Sequence, residues 1–261
     1  MDYDIASLQG MRPSNEDSEI VYINLDGRNS NENRINIYGV FDGHGGKLIS
    51  KFGSENLYKY FLKLDERLFR DREYTSRFIM DVFNRFTQRL VEEYPRACVS
   101  SGSTCCMCIL TGDNYLWVIN LGDSRAVMLD KNNNTIELSK DHKPNMKKER
   151  ERIEKLGGKD KIYYDGSDWR VVDLSLSRAL GDMNAHPYVS HLPEIYRYKI
   201  DREDKYLIVG CDGLYDVLKN EVITKFVADN IEKKNIARLL ADKAINSGST
   251  DNVSTIVVRL S

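Results

Sequence analysis

Four strand-like segments between Thr104 and Leu138 follow one another with connections of no more than four residues. They lie at about 104–110, 115–121, 124–130 and 135–138, joined by Thr111 to Asn114, Gly122-Asp123 and Lys131 to Asn134. A parallel pair needs a crossover of about a dozen residues, usually a helix. These runs therefore predict an antiparallel meander. Further strands are expected near 3–8, 18–24 and 35–41, and long helices over about 46–64 and 72–94. In the second helix Phe78, Ile79, Val82, Phe83, Phe86, Leu90 and Val91 recur at three- and four-residue spacing, one stripe that faces a core. Two more helices fall within 220–246, with Asn220 and Asn235 as N-caps. Helices on either side of the meander give an α+β fold. Its two central antiparallel β-sheets form a sandwich flanked by pairs of α-helices, in four layers α-β-β-α.

Acids stand at the ends of these apolar runs. Asp42 follows Ile37 to Phe41, Asp212 follows Tyr206 to Gly210, and Asp251 precedes Val253 to Val258; Glu16-Asp17 forms a further acidic loop. Strand ends that converge would gather these carboxylates, and such a cluster is stable only if cations neutralise it. The ligands are oxygens, with no histidine pair or thiolate at metal-ligand spacing, which selects Mg²⁺ or Mn²⁺ over zinc. Two such ions about 4 Å apart can activate one water for in-line attack on phosphorus. Arg12 lies four residues before Glu16, and its planar fork suits two phosphate oxygens. The glycines after Asp42 let backbone approach an ion, so the Gly43 carbonyl is a candidate ligand and His44 a candidate general acid.

Bulk properties narrow the alternatives. With 38 basic and 40 acidic residues the formal net charge is −2, which argues against a nucleic-acid binder. No run of 18 apolar residues and no signal-peptide pattern occurs, so the expectation is a soluble protein of the cytoplasm, with the nucleus as an alternative. The cysteines at 98, 105, 106, 108 and 211 read as reduced and buried. At 261 residues the whole chain, 1–261, is expected to form one catalytic domain, with the polar, charged stretch at about 143–170 as a flap over the site. Other phosphatase chemistries are excluded directly. No cysteine has an arginine six positions on, Asp2-Tyr3-Asp4-Ile5-Ala6 fails the aspartyl-phosphate pattern, and the Gly-x-x-x-x-Gly-Lys phosphate loop is absent.

These motifs together resemble the metal-dependent serine/threonine phosphatases of the protein phosphatase 2C type, over Tyr3 to Leu260. The resemblance is carried by Arg12-Pro-Ser-Asn-Glu-Asp17, Val40-Phe-Asp-Gly-His-Gly-Gly46, Ser101-Gly-Ser-Thr104 and Asn120-Leu-Gly-Asp-Ser-Arg-Ala126. It continues through Asp141-His-Lys-Pro144, Leu176-Ser-Arg-Ala-Leu-Gly-Asp182, Cys211-Asp-Gly-Leu-Tyr-Asp-Val-Leu218 and Gly248-Ser-Thr-Asp-Asn-Val-Ser254. It implies hydrolysis of phosphoserine and phosphothreonine in proteins by a metal-bridging hydroxide, without a phosphoenzyme. It also implies that Asp42 bridges two ions of Mg²⁺ or Mn²⁺, with Gly43 on one, Asp212 and Asp251 on the other, and Glu16 holding the second partly through water. Asp17 matches an acid that orients water, Arg12 the phosphate-binding arginine, His44 the general acid, and Asp123 the acid of a third, weaker site shared with Asp212.

Other matched residues read as framework: Arg125 as a buried ion-pair partner, Arg178 and Asp182 as scaffold, and Asp216 as support for Asp212. Departures from the family pattern are few. Cys211 replaces a common serine or threonine and suggests inhibition by thiol oxidation; Tyr215 replaces a frequent tryptophan; Val172-Asp173 replaces a common Asn-Gly turn. The expected partners are phosphoprotein substrates, with no nucleic acid and no membrane insertion, for a monomer or a module of a larger protein. A catalytically dead scaffold is the rival reading; its mark would be lost ligands, and Glu16, Asp42, Asp212 and Asp251 are all present.

Overall fold

Residues 2–28, 33–62, 64, 69–230 and 232–261 are described in a computed structural model of the chain. Its main strands pair antiparallel in two five-stranded sheets. One has the order β1 (Tyr3–Leu8), β15 (Val253–Arg259), β14 (Tyr206–Gly210), β8 (Arg125–Leu129), β9 (Thr135–Glu137). The other runs β13 (Glu194–Lys199), β7 (Tyr115–Leu121), β6 (Cys105–Thr111), β3 (Ile35–Phe41), β2 (Ser18–Ile23). A small sheet of β12 (Leu180–Gly181), β5 (Gly102–Ser103) and β4 (Gly43–His44) sits beside Asp42.

The expected single meander is corrected at Gly122-Asp123. β7 pairs with β6 and β13, whereas β8 pairs with β14 and β9 in the opposite sheet. The two-residue link is a corner rather than a hairpin. Gly122 takes φ +101°, and a Cβ there would stand 2.7 Å from Thr104 Cγ2. A short connection rules out a parallel neighbour but allows the chain to step between packed sheets. That step puts Asp123 at the seam.

Side-chain alternation builds the layers. In β6, Cys106, Cys108 and Leu110 face the space between the sheets, against Val209, Ile256 and Val258 of the partner sheet. Cys105, Met107 and Ile109 face the other way, toward α1 (Leu48–Asn56) and the Ile79–Leu90 stripe of α3 (Arg72–Glu93). The second sheet face is covered by α6 (Asn220–Asp229) and α7 (Ile236–Asn246), which bury Ile223, Val227, Ala237 and Leu240. The result is the four-layer α-β-β-α arrangement. All five cysteines are buried and free.

Several local expectations shift. The helix expected over 46–64 divides into α1 and a short α2 (Lys59–Leu62), and residue 63 lies outside the described residues. Asn220 is the first residue of α6 rather than its cap, and its Oδ1 accepts from Arg125 Nη1 at 2.8 Å. Asn235 stands at the cap position of α7 with φ +62° and makes no capping bond; Asp4 Oδ2, from β1, accepts from Ala237 N at 2.8 Å instead. The flap holds α4 (Lys147–Lys155), α5 (Asp212–Tyr215) follows β14, and the hairpin β10 (Ile162–Tyr164) with β11 (Trp169–Val171) completes the flap. Among the described residues, no helix is long and apolar enough to cross a membrane.

Candidate metal centre

Antiparallel pairing brings the acid-bearing strand ends to one end of the two sheets. Asp42 leaves β3, Asp123 leaves β7, Asp212 opens α5 at the end of β14, Asp251 precedes β15 and Glu16 precedes β2. All five line one cavity of about 290 Å³, together with Arg12, Gly43 and His44. Asp17 is absent from its wall. It lies behind it, one residue before Ser18, which faces Phe41 in the β2–β3 register.

The loop carrying Arg12 and Glu16 is stitched to the start of β15 by Asn252. Asn252 Nδ2 donates to the carbonyls of Gln9 and Ser14 at 2.8 and 2.9 Å, and its Oδ1 accepts from Glu16 N at 2.9 Å. Arg12 Nη2 then reaches Asp251 Oδ2 at 2.6 Å, with more than half of the arginine side chain still exposed. Asp42 is fixed by Thr104, whose N–H donates to the Asp42 carbonyl at 2.9 Å and whose Oγ1 accepts from Asp42 N at 3.0 Å. Gly43 is forced by space, since a Cβ there would overlap the Glu16 carbonyl and stand 2.8 Å from Ser50 Oγ.

The electrostatics are those of a cation site. Burial and the neighbouring Asp212 push Asp42 well above the usual carboxylate range, and burial and Asp123 do the same to Asp212. Neither oxygen of Asp17 has a hydrogen-bonded donor. Burial pushes its pKa up to about 6, against the pull of the nearby Ser254 hydroxyl and Cys211 thiol. Lys143 Nζ stands 2.5 Å from Asp123 Oδ2, and it draws 3.9 Å from Asp168 Oδ2 of the flap. Its ammonium is thereby held far above the ordinary lysine value despite burial. An all-oxygen donor set, orphaned carboxylate oxygens and a backbone cradle that only glycine leaves open fit hard divalent cations.

His44 has a partner that sequence reasoning assigned to the scaffold. Its Nε2 lies 2.7 Å from Asp182 Oδ2, and Asp182 is almost fully buried. Burial draws the imidazole pKa down, but the bond to Asp182 and its charge outweigh this and raise it above the ordinary histidine value. Arg170 of β11 and Leu174 also line the cavity, so the flap's exit segment reaches the site. Neither carried a motif that marked it. Arg125 forms the expected ion pair, donating to both Asp141 oxygens at 2.9 and 2.7 Å. Asp216 is solvent-exposed.

The expectation of inhibition by oxidation at Cys211 does not survive. Its side chain is fully buried. Burial and the carboxylates of Asp17, Asp42 and Asp212 hold the thiol protonated, and peroxide reacts with an accessible thiolate.

Comparison with known proteins agrees with this geometry. Residues 1–253 match the model of the family described as Protein phosphatase 2C. The chain is 35% identical over 255 residues to Probable protein phosphatase 2C 52 of Oryza sativa subsp. japonica, covering 97% of this chain and 49% of that protein. It thus spans about half the length of that relative. A solved structure of a C. elegans sex determining protein superposes with a TM-score of 0.89 at 27% identity, over 100% of this chain and 65% of the other. The serine-threonine phosphatase 2C of Toxoplasma gondii gives 0.85 at 21% identity, over 99% and 94%, a likeness of fold.

Proposed function

The chain belongs to the protein phosphatase 2C family, and we propose that it hydrolyses phosphoserine and phosphothreonine in proteins with the aid of Mg²⁺ or Mn²⁺. One observation carries this reading: strand ends from both sheets deliver five carboxylates to a single cavity with Arg12 on its rim. When bound, the ions supply Lewis-acid activation of water and offset the charge of the phosphoryl group. Asp42, the Gly43 carbonyl, Asp212, Asp251 and Glu16 are the groups that would hold two of them. A third ion at Asp123 and Asp212 would have to displace the ammonium of Lys143 and would for that reason be the weakest.

The chain's own residues do the rest. Arg12 offers its fork to two phosphate oxygens, and its bond to Asp251 keeps it on the rim before substrate arrives. Asp17, buried behind Asp42 with no donor on either oxygen, is free to accept from a water at the site and orient it. With His44 Nε2 committed to Asp182, Nδ1 is the nitrogen left to give a proton to the serine or threonine oxygen as its bond to phosphorus breaks. Cys211 and the other thiols are buried, so no thiol is in place to attack phosphorus. On this reading the cavity's carboxylates are engaged as metal ligands and His44 as the acid, so water displaces the alcohol in one step and no phosphoryl-protein forms. Acid quenching during turnover of a radiolabelled phosphoprotein should leave the enzyme unlabelled, and a covalently labelled enzyme would overturn this mechanism.

A further inference from the structure

The departure at Cys211 places a sulfur where the hard-ion centre has its most buried acids. Cys211 follows β14 and is fully buried; its sulfur accepts from Ser254 N at 3.1 Å and lies 3.4 Å from the Asn252 carbonyl. Asp17 is 1% exposed, and neither of its carboxylate oxygens has a hydrogen-bonded donor. Asp42 closes the group from the cavity side. One ligand atom from each of Asp17, Asp42 and Cys211 lies within 4.8 Å of the other two. We propose that these three residues form a distinct site for a thiophilic divalent cation of the Zn²⁺ or Cd²⁺ type, one that shares Asp42 with the hard-ion centre and competes with it.

The chemistry separates the two sites. Magnesium and manganese favour oxygen donors, whereas a thiolate selects softer ions. Bond lengths of about 2.3 Å to sulfur and about 2.0–2.2 Å to carboxylate oxygen place one ion among the three groups after a small inward shift. As the metal–sulfur bond forms, the S–H bond breaks and its proton leaves to solvent; a coordinating thiol is deprotonated outright. Two carboxylates and one thiolate then surround a dication, and the orphaned oxygens of Asp17 gain the partner they lack. The protonated thiol is a poor nucleophile toward peroxide, whereas a cation that enters at cavity-lining Asp42 displaces its proton. A hydroxyl at this position would leave an all-oxygen site without that preference.

The test is spectroscopic and independent of phosphatase activity. Protein stripped by chelation is titrated with Cd²⁺ while the thiolate-to-cadmium charge-transfer absorption in the ultraviolet is followed. The proposal predicts one equivalent of band-forming Cd²⁺ in the wild type and none in Cys211→Ser, a side chain common in the family. It predicts Cd²⁺ affinity lower on the order of a hundredfold in Cys211→Ser, the upper end of what supporting residues alone contribute. Excess Mg²⁺ should shift the wild-type titration to higher Cd²⁺, because both ions need Asp42. Absence of the band in the wild type, its persistence in Cys211→Ser, or indifference to Mg²⁺ each overturns the proposal.

Discussion

His44 Nε2 and Asp182 Oδ2 meet at 2.7 Å in a gap that exists because residue 102 is glycine. Two short strands make the meeting possible: β4 lays His44 opposite Gly102 of β5, and β5 lays Gly102 opposite Gly181, the neighbour of Asp182. The carboxylate fixes the ring and favours its protonated form, the state a general acid needs at neutral pH.

Asp182→Asn should therefore impair proton delivery to the leaving oxygen. Turnover of a phosphothreonine peptide is expected to fall about a hundredfold, the lower range for general acid catalysis. An aryl phosphate, whose leaving group needs no proton, should lose only a few-fold. Equal losses on both substrates would show that Asp182 acts through structure alone.

Gly102→Ala tests the same pair from the other side. An added Cβ would overlap Asp182 Oδ2 and stand 2.6 Å from His44 Nε2. The expected result is a loss on the peptide substrate like that of Asp182→Asn, with the protein still folded and its Tm lower by several degrees from the overpacked contact. Full activity in a folded Gly102→Ala protein would contradict the assignment.

The flap's exit turn carries strain that can be relieved. Val172 and Asp173 take φ +47° and +73°, and Val171 and Leu174 exchange N–H···O bonds of 2.9 and 3.0 Å across them. That is a two-residue hairpin turn, for which asparagine and glycine are suited and a β-branched residue is not. Val172→Asn should stabilise the protein by about 1 kcal/mol, the lower end of the left-handed penalty, since some half-buried valine contact is given up. Denaturant unfolding checks this, and a loss of stability would contradict it.

Acid sensitivity should centre on Glu149 at the base of the flap. It is 2% exposed and meets Arg178 and Arg152, with Ser177 Oγ donating at 2.9 Å. Burial alone would raise its pKa, but the two guanidiniums prevail and lower it to about 2 from 4.5. A folded value below the unfolded one gives stability that is fully present above pH 4.5 and lost as pH falls from there toward 2. The amount is on the order of 3 kcal/mol. Glu149→Gln should cost about that much at pH 7 and flatten the acid limb of the stability profile; an unchanged acid limb would contradict the account.

Much of the site was legible because its acids close apolar runs. Asp42, Asp212 and Asp251 adjoin strands that the sequence marks plainly, and the stripe from Ile79 to Leu90 marked α3. The glycines after Asp42 marked the Gly43 carbonyl, whereas the role of Asp123 came from the family likeness, since a lone turn residue carries no signal of its own. The step between sheets at Gly122 was hidden because short connections exclude parallel pairing but not a corner. Asp182 was hidden for two reasons. It is 138 residues from His44, and two-residue strands are too short to show alternation. Asp4 caps α7 across 233 residues, so the local Asn235 misled.

The central claim, that this acidic cavity hydrolyses phosphothreonine with divalent metal, is tested most directly by phosphate release from a phosphothreonine peptide with Mn²⁺ or Mg²⁺. EDTA and Asp212→Ala serve as controls. The account predicts release with either ion, abolished by EDTA and reduced by several orders of magnitude in folded Asp212→Ala. No release from folded, metal-loaded wild-type protein, or release that persists in EDTA, would contradict it.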